Sequence, residues 1–179
     1  MQSALFIGRF QPFHNGHLEM VRMILKENER VIIVIGSAEK NFTAKDPLTT
    51  GERIQCIENS LKEAKIDPLK FIIVPVHNIN NYAIWVNHLN TYVPPYTKLY
   101  TGSKIVRACY EGIYSKPHTP NKIGPEIIQL TRKFSLSATK IRNAVIDNKK
   151  WEHLVPKAVS TLLKKWGFKT RLKTIKDEN

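Results

Sequence analysis

A cluster of glycine, arginine and histidine residues near the N-terminus has the composition of an anion site. Gly8, Arg9, His14, Gly16 and His17 follow a short apolar run and lead into a segment with helical spacing. Arg9 offers a forked donor for a phosphate, and the glycines let the backbone turn and come close to a ligand. The histidines are three residues apart, so both rings can face the same side of the free N–H groups at the helix start. The spacing therefore favours phosphate binding.

Metal binding is the alternative function for two histidines at this spacing. The segment lacks the glutamate of the zinc-protease helix motif, and no cysteine or acidic cluster offers an obvious third ligand. The sequence also lacks the Gly-x-Gly-x-x-Gly pattern for dinucleotides, the Walker loop and the Gly-x-Ser-x-Gly elbow. We therefore expect a phosphate site of another kind, with no metal held by protein side chains.

A second group of residues that can bind phosphate lies far downstream. Ser137, Thr139, Lys140 and Arg142 stand at the start of a helical pattern. Two hydroxyl groups and a helix N-terminus can hold phosphate oxygens, while the two cationic side chains can neutralise a polyphosphate. Alone, this pattern is typical of a capped basic helix. Together with the first cluster, it predicts the second half of one phosphate site.

The elements that must position these residues follow from alternating apolar runs and helical patterns. Strands are predicted at residues 4–7, 31–35, 71–74 and 98–100. Helices are predicted after residue 17, from a capping box at 49–52, from 81 or 82 to about 92, over 103–110, from 137, and from 156 to 167. Residues 115–125 contain three prolines and are predicted to form a loop.

Apolar strands separated by helices imply a parallel sheet covered on both faces. We therefore predict an α/β fold with a doubly wound parallel sheet and a single domain, residues 1–168. Residues 169–179 are predicted to be a basic C-terminal tail. Ligands of such folds bind beyond the carboxyl ends of the strands. The first cluster directly follows the first predicted strand and is therefore expected at that edge.

Length and charge limit the classes of protein to consider. A chain of 179 residues without an apolar run long enough to span a membrane, and without a signal peptide, is expected to be a single cytoplasmic domain. Two cysteines are too few for a disulfide framework. The net charge is +13, and residues 101–179 carry 17 basic against 6 acidic side chains. Such a surface can attract nucleic acid, membranes or polyphosphate, although a solvated basic surface is the simpler interpretation.

The two clusters together resemble the nucleotidylyltransferase superfamily that carries the His-x-Gly-His motif. The first cluster is more similar still to the archaeal-type nicotinamide-mononucleotide adenylyltransferases. Further similar segments begin at Ile35, Asp46, Trp85 and Trp151, so the resemblance extends from residue 4 to about residue 168. It implies a Rossmann-like nucleotidylyltransferase fold. It also implies a homo-oligomer, since proteins of this family are often multimeric.

The resemblance implies transfer of AMP from ATP to nicotinamide mononucleotide (NMN), giving NAD and pyrophosphate in NAD biosynthesis. Mg²⁺ would be carried by the ATP phosphates. The residues implied to bind ATP are Gly8, Arg9, Phe10, His14, Gly16, His17, Ser137, Thr139, Lys140 and Arg142. Those implied to bind NMN are Phe13, Ile79, Asn81, Tyr82 and Trp85, the last as a stacking platform for the nicotinamide ring. Those implied to act in catalysis are Arg9, His14, His17, Lys45 and Arg142.

Some positions depart from the family pattern. Lys45 stands where an arginine is common, Phe42 where a histidine is usual, and Tyr82 replaces an asparagine. Two alternatives stay open: transfer to another phosphorylated acceptor, such as phosphopantetheine, flavin mononucleotide or glycerol phosphate, and a basic nucleic-acid-binding module. Trp85 argues against the first. The lack of aromatic residues interleaved with the basic positions argues against the second, so no nucleic-acid or membrane partner is expected.

Overall fold

Five strands pair in parallel to form the sheet in the part of the chain that the structure describes. This computed structural model describes residues 2–114, 124–129 and 136–178. The strands are β1 (Ser3–Gly8), β2 (Arg30–Gly36), β3 (Phe71–Val76), β4 (Lys98–Thr101) and β5 (Glu126–Gln129). Their order is β3-β2-β1-β4-β5, and every neighbouring pair is parallel. The predicted doubly wound parallel sheet is confirmed.

Four of the five strands coincide with the apolar runs that predict them. The fifth strand, β5, has the sequence EIIQ and lies at the edge of the sheet, where it pairs only with β4. Two apolar residues are too few to show a strand pattern in a sequence, so β5 was not predicted. The loop predicted at residues 115–125 lies outside the described residues, except for its last two positions.

Seven α-helices are described between and after the strands. They are α1 (Asn15–Glu27), α2 (Thr50–Glu63), α3 (Trp85–Asn90), α4 (Lys104–Tyr110), α5 (Ala138–Ile146), α6 (Lys157–Lys165) and α7 (Phe168–Asp177). The capping box predicted for α2 is present. Over the described ranges, none of the helices has both the length and the apolar character that crossing a bilayer requires.

Helix α3 is shorter than the helix predicted over residues 81 or 82 to 92. The side-chain oxygen of Asn81 accepts a hydrogen bond from the amide of Ala83 at 3.2 Å, and Asn80 has a left-handed φ of 51°. Asparagine side chains that bond to the backbone two residues further on stabilise turns in competition with helix. The helix therefore begins only at Trp85.

The segment predicted to be a basic tail is largely helical. Gly167 adopts a left-handed φ of 60° after α6, and the chain continues as α7. Phe168, Leu172 and Ile175 are spaced by one helical turn each and are buried, while Lys169, Lys173 and Lys176 are exposed. Helix α7 therefore contributes an apolar face to the domain core as well as basic surface.

The two faces of the sheet are covered unequally. Alternate residues of β1 and β2 point to opposite faces, as in any strand. Ala4, Phe6 and Ile33 belong to the larger core cluster, which also holds apolar side chains from α1, α2, α5, α6 and α7. Leu5 and Ile32 belong to the smaller cluster, which is covered mainly by α3 and α4. The carboxyl ends of the strands lie between these two layers.

Candidate active site

His14 and His17 lie at the junction between β1 and α1. His14 occupies the N-cap position of α1, which begins at the next residue. The two imidazole rings stack with 3.6 Å between their centroids and an angle of 18° between their planes. His14 is buried and His17 is half-buried. Both rings therefore lie together at the N-terminus of the helix, as their spacing predicts.

A backbone hydrogen bond selects the nitrogen of His17 that carries the proton. The amide of His14 donates to Nδ1 of His17 over 3.2 Å. Burial lowers the pKa of His14 to about 4. Burial, reinforced by the nearby His14, lowers the pKa of His17 well below its ordinary value. Both rings are therefore neutral near pH 7. Since Nδ1 of His17 accepts a hydrogen bond, its Nε2 carries the proton and can donate to a ligand.

The ring of His14 has an unused polar atom. Its Nδ1 is buried and has no hydrogen-bond partner among the described residues. Such atoms are uncommon in folded proteins because an unsatisfied buried group costs free energy. A Cβ at Gly16 would stand 3.2 Å from this nitrogen, so a larger residue there would crowd the His14 ring. The glycine thus lets the ring stay at the start of α1, where its Nδ1 is buried without a partner in the described part of the chain.

Two buried phenylalanine rings pack against His17. The ring centroids of Phe10 and Phe13 lie 4.9 Å and 5.4 Å from that of His17. A Cβ at Gly8 would come within 2.8 Å of the Phe10 ring, so the packing of this ring requires glycine there. Both phenylalanine side chains are fully enclosed. The structure therefore places them as supports for His17, and their predicted contacts with ATP and NMN stay predictions.

Arg9 extends from the end of β1 and pairs with Asp46. Its Nη1 lies 3.4 Å from both carboxylate oxygens. The Arg9 side chain is 55% exposed, whereas that of Asp46 is only 4% exposed. The buried carboxylate thus orients a guanidinium group that remains accessible to a phosphate. Lys45, the neighbour of Asp46 in the loop between β2 and α2, is exposed.

Arg142 brings the two sequence clusters together. Its Nη1 donates to the carbonyl oxygen of Gln11 at 2.8 Å, and its Nη2 donates to the hydroxyl of Thr139 at 3.3 Å. The side-chain amide of Gln11 in turn exchanges two hydrogen bonds with the backbone of Leu48, at 3.0 Å and 2.9 Å. The start of α5 is thereby held against the segment between β1 and α1, as the pairing of the two motifs predicts.

The other α5 residues singled out in the sequence line the start of that helix. The hydroxyl of Ser137 accepts a hydrogen bond from the amide of Lys140 at 3.3 Å and caps the helix. Thr139 and Lys140 are exposed. Their side chains are accessible to a ligand at the helix N-terminus, where the helix dipole favours negative charge.

Arg53 supports the site and was missed in the sequence. Its guanidinium is fully buried and donates to the carbonyls of Arg9, Gly36, Ser37, Ala38 and Lys40 and to the hydroxyl of Thr50. It therefore ties the ends of β1 and β2 to α2. One signal could have revealed it, because Arg53 occupies a position on the core-facing side of an otherwise amphipathic helix. Gln11 was missed as well, and its isolated amide carries no comparable signal.

The residues predicted to bind NMN mostly lie in the segment that follows β3. An open depression of about 570 Å³ there is lined by Ile79, Asn81, Ile84, Asn87, His88 and Thr91. Trp85 is half-buried against the smaller core cluster. Tyr82 is exposed, with its ring 5.2 Å from that of Tyr114. Of the five predicted residues, Ile79 and Asn81 line this depression, Tyr82 and Trp85 lie in the same segment, and the side chain of Phe13 lies apart beneath His17.

The register of the sheet sets the spacing between the two regions. Gly8 pairs with Ile35, which pairs with Pro75, so β1 and β3 end at the same level. Only β2 separates them, which corresponds to about 10 Å across the sheet. The cluster from Gly8 to His17 follows β1, and the depression follows β3. Both strands end at the same edge of the sheet, two strands apart.

Comparison with known proteins agrees with this architecture. The sequence profile of the cytidylyltransferase-like family matches residues 5–144. The nicotinamide-nucleotide adenylyltransferase of Pyrobaculum aerophilum is 39% identical over 176 residues, covering 97% of this chain and 93% of the relative. The protein of the same name from Methanococcus maripaludis is 36% identical, covering 98% and 96%.

The fold is also found among solved structures. The bifunctional NMN adenylyltransferase/ADP-ribose pyrophosphatase of Francisella tularensis, complexed with AMP and a manganese ion, superimposes with a TM-score of 0.74 at 22% identity. The match covers 97% of this chain and 51% of that one. A nicotinate-nucleotide adenylyltransferase candidate from Vibrio parahaemolyticus has a TM-score of 0.62 at 18% identity.

The strand order defines an α/β protein of the Rossmann-like class, and the Gly8 to His17 cluster follows β1 at the reversal point of the sheet, where ligands of such folds bind. The chain belongs to the cytidylyltransferase-like family and, within it, to the family of its archaeal relatives, the nicotinamide-nucleotide adenylyltransferases. The resemblance recognised in the sequence is confirmed.

Proposed function

We propose that this chain transfers AMP from ATP to NMN, forming NAD and releasing pyrophosphate. The observation that carries the proposal is the 2.8 Å hydrogen bond from Arg142 to Gln11, which holds α5 against the segment that leads from β1 to the stacked histidines. Two helix N-termini and several cationic side chains at one place suit a triphosphate. The relatives' names and the depression beyond β3 support a nicotinamide nucleotide as the acceptor.

The reaction requires no nucleophile from the protein. An oxygen of the NMN phosphate attacks the α-phosphorus of ATP and forms a new P–O bond. The bond between the α-phosphorus and the bridging oxygen to the β-phosphorus breaks, and its electron pair leaves with pyrophosphate. Catalysis then consists of holding the two phosphates in line and stabilising the charge that builds on the oxygens.

The side chains at the start of α1 and of α5 bind different phosphates of ATP. His17 donates from Nε2 to the α-phosphate, where charge increases as the bond breaks. His14, at the same helix start, contacts an adjacent phosphate oxygen. Arg9 and Lys45 approach from the exposed side, and Arg142 fixes the far wall together with the hydroxyls and amides at the start of α5. The backbone of Gly8, Phe10 and Gly16 lines the opposite side, between β1 and α1.

A divalent metal enters with ATP as part of the substrate. Over the described residues, no three His, Cys, Asp or Glu side chains are arranged to hold an ion. Asp46, next to the site, is already paired with Arg9. Mg²⁺ keeps several waters and commonly binds through substrate phosphates, so this donor set fits a metal carried on the triphosphate. Its chemistry there is neutralisation of the leaving pyrophosphate.

The acceptor lies beyond β3. Trp85 offers an aromatic face to the positively charged nicotinamide ring, which such faces attract. Ile79 and Asn81, which line the depression, contact the carboxamide and ribose. Tyr82 is exposed in the same segment. We further propose that the protein acts in the cytoplasm, in keeping with its two buried free thiols, and assembles as a homo-oligomer.

Pyrophosphate release tests the proposal directly. The protein is incubated with ATP and Mg²⁺ and offered NMN, nicotinic-acid mononucleotide, phosphopantetheine or flavin mononucleotide in parallel. We expect release with NMN, accompanied by stoichiometric NAD. Release only with a different acceptor would support adenylyl transfer but show that NMN is not the acceptor. If none of the four supports release, the proposal fails, and salt-dependent nucleic-acid binding becomes the next property to measure.

A further inference from the structure

The C-terminal helix reaches back to the loop that carries Lys45. The guanidinium of Arg171 in α7 donates two hydrogen bonds to the carboxylate of Glu52, at 2.6 Å and 2.7 Å, and one to the carbonyl of Pro47 at 3.3 Å. Both side chains are largely buried, with 17% of Arg171 and 16% of Glu52 exposed. The same guanidinium lies 5.0 Å from the ring centre of Phe42. Arg171 thus contacts the loop on both sides of Lys45.

Glu52 is anchored from a second direction. Its carboxylate accepts the amide hydrogen of Thr49 at 2.9 Å, and the Thr49 hydroxyl accepts the amide hydrogen of Glu52 at 3.2 Å. Burial alone would raise the pKa of Glu52, but hydrogen bonds from Arg171 and Thr49 outweigh this effect and lower it. The carboxylate is therefore charged near neutral pH. Arg171 binds a group whose position the start of α2 has already fixed.

Pro47, whose carbonyl binds Arg171, lies between two residues that are hydrogen-bonded to the phosphate site. On one side of Pro47, Asp46 pairs with Arg9 over 3.4 Å. On the other side, Leu48 is hydrogen-bonded in both directions to the segment between β1 and α1. The loop is therefore held between α7 and that segment. A displacement of Pro47 moves Asp46, and with it the guanidinium of Arg9.

We propose that Arg171 is a positioning residue for ATP, which acts through Pro47 and Asp46 on Arg9 and Lys45. The inference rests on the proposed function, since it takes ATP as the ligand of the phosphate site. It gives the basic C-terminal helix a part in nucleotide binding in addition to its packing. The geometry depends on the arginine fork, because the single ammonium group of a lysine cannot reproduce a planar bidentate pair.

Four variants of the full-length protein test this role. Arg171→Ala removes the contacts, and Arg171→Lys keeps the charge without the fork. Glu52→Gln keeps a side-chain acceptor for the amide of Thr49 but removes the partner's charge. Lys173→Ala is the matched control, because Lys173 is an exposed cation on the same helix. Each is measured for MgATP binding by calorimetry without NMN, for the KM of ATP and of NMN, and for melting temperature.

We expect Arg171→Ala to weaken MgATP binding and raise the KM for ATP by roughly 3- to 30-fold, the usual range for residues that act through intermediates. The KM for NMN should stay nearly unchanged. Arg171→Lys and Glu52→Gln should show smaller losses that are also specific to ATP, and Lys173→Ala should match the wild type. If Arg171→Ala fails to fold, Arg171→Lys and Glu52→Gln still provide the comparison.

A purely structural role gives a different result. Lower melting temperatures with wild-type affinity for MgATP in every folded variant would overturn the positioning role. Equal losses for ATP and NMN would overturn it as well. A wild-type protein that fails to bind MgATP would overturn the proposed function and this inference with it. A wild-type protein that binds MgATP and supports transfer, with variants that all behave alike, would overturn the inference alone.

Discussion

The region after β1, proposed to bind phosphate, and the region after β3, proposed to bind nicotinamide, are built in different ways; we refer to them as the phosphate end and the nicotinamide side. At the phosphate end, long-range hydrogen bonds such as Arg142 to Gln11 and Gln11 to Leu48 connect buried groups from three parts of the sequence. On the nicotinamide side, the segment before α3 is mostly exposed, and bonds such as Ala83 to Asn81 connect near neighbours in the sequence. The second region has one long-range bond as well, from the amide of Asn78 to the carboxylate of Glu39 at 3.0 Å, but this bond is exposed. Long-range contacts thus fix the first region, and mainly local turns shape the second.

This difference matches the roles that we propose for the two regions. Donors that stabilise charge in a transition state work best when they are already in place, because they then need no reorganisation during the reaction. A base pocket needs only to hold the ring of the acceptor, which a looser segment can do. We therefore expect changes at the phosphate end to reduce turnover, and changes on the nicotinamide side to weaken acceptor binding.

Replacing His17 should give the largest effect and tests the phosphate end. His17→Ala removes the proposed Nε2 donor to the α-phosphate, and we expect kcat to fall by roughly 10²-fold or more, as for the loss of one preorganised donor. Steady-state kinetics with saturating ATP and NMN measures it, and circular dichroism confirms the fold. A folded His17→Ala protein with near wild-type kcat would remove the catalytic role of this residue.

Acid should destabilise the phosphate end through its neutral histidines. The pKa of His14 is lowered from 6.5 to about 4 in the folded state. Above pH 6.5 the ring is neutral in the folded and the unfolded protein alike. As the pH falls from 6.5 towards 4, the unfolded protein binds the proton first, so the free energy of unfolding decreases. From His14 alone, we expect the free energy of unfolding to drop by about 2 kcal/mol between about pH 7.5 and about pH 5.

Urea unfolding of the ligand-free protein at both pH values measures this drop. His14→Gln isolates the contribution, because burial also lowers the pKa of His17, which therefore destabilises the fold over the same pH range. The free energy of unfolding of the variant should drop less between the two pH values, by the amount that His14 contributes in the wild type. An identical drop in the wild type and the variant would mean that His14 titrates normally in the folded protein.

Replacing Trp85 should give the smallest of the three effects and tests the nicotinamide side. We expect Trp85→Leu, which keeps an apolar side chain against the smaller core cluster, to raise the KM for NMN by about tenfold, the loss of one ring–cation contact. The KM for ATP should change little. Both constants come from the same steady-state assay. An unchanged KM for NMN, or an equal rise for ATP, would show that Trp85 serves only the core.

Much of the fold could be predicted because the signals are local. The β-branched run from Val31 to Ile35 predicts β2 correctly, and the capping box of Thr49 and Glu52 predicts the start of α2. The edge strand β5 has two apolar residues and gave no pattern. Helix α7 was missed although Phe168, Leu172 and Ile175 repeat at helical spacing, because the lysines between them dominate the composition.

The site, like the fold, was predictable where the signals in the sequence are local. The glycines and histidines of the first cluster indicate their helix start from spacing alone. The contacts that unite the site were not predictable in detail, because they join residues remote in sequence, as Arg142 and Gln11 are. Arg171 and Glu52 form their bidentate pair only after α7 packs against the start of α2. Such pairs follow from tertiary structure, which no local pattern shows.

The central claim is that bond cleavage occurs at the α-phosphorus of ATP, with NMN as the acceptor. Two parallel reactions with Mg²⁺ test it, one with ATP labelled by radioactive phosphorus at the α position and one with the label at the γ position. We predict that the α label appears in NAD and the γ label in pyrophosphate. Transfer of the γ label to the nucleotide acceptor, or its release as orthophosphate, would contradict adenylyl transfer.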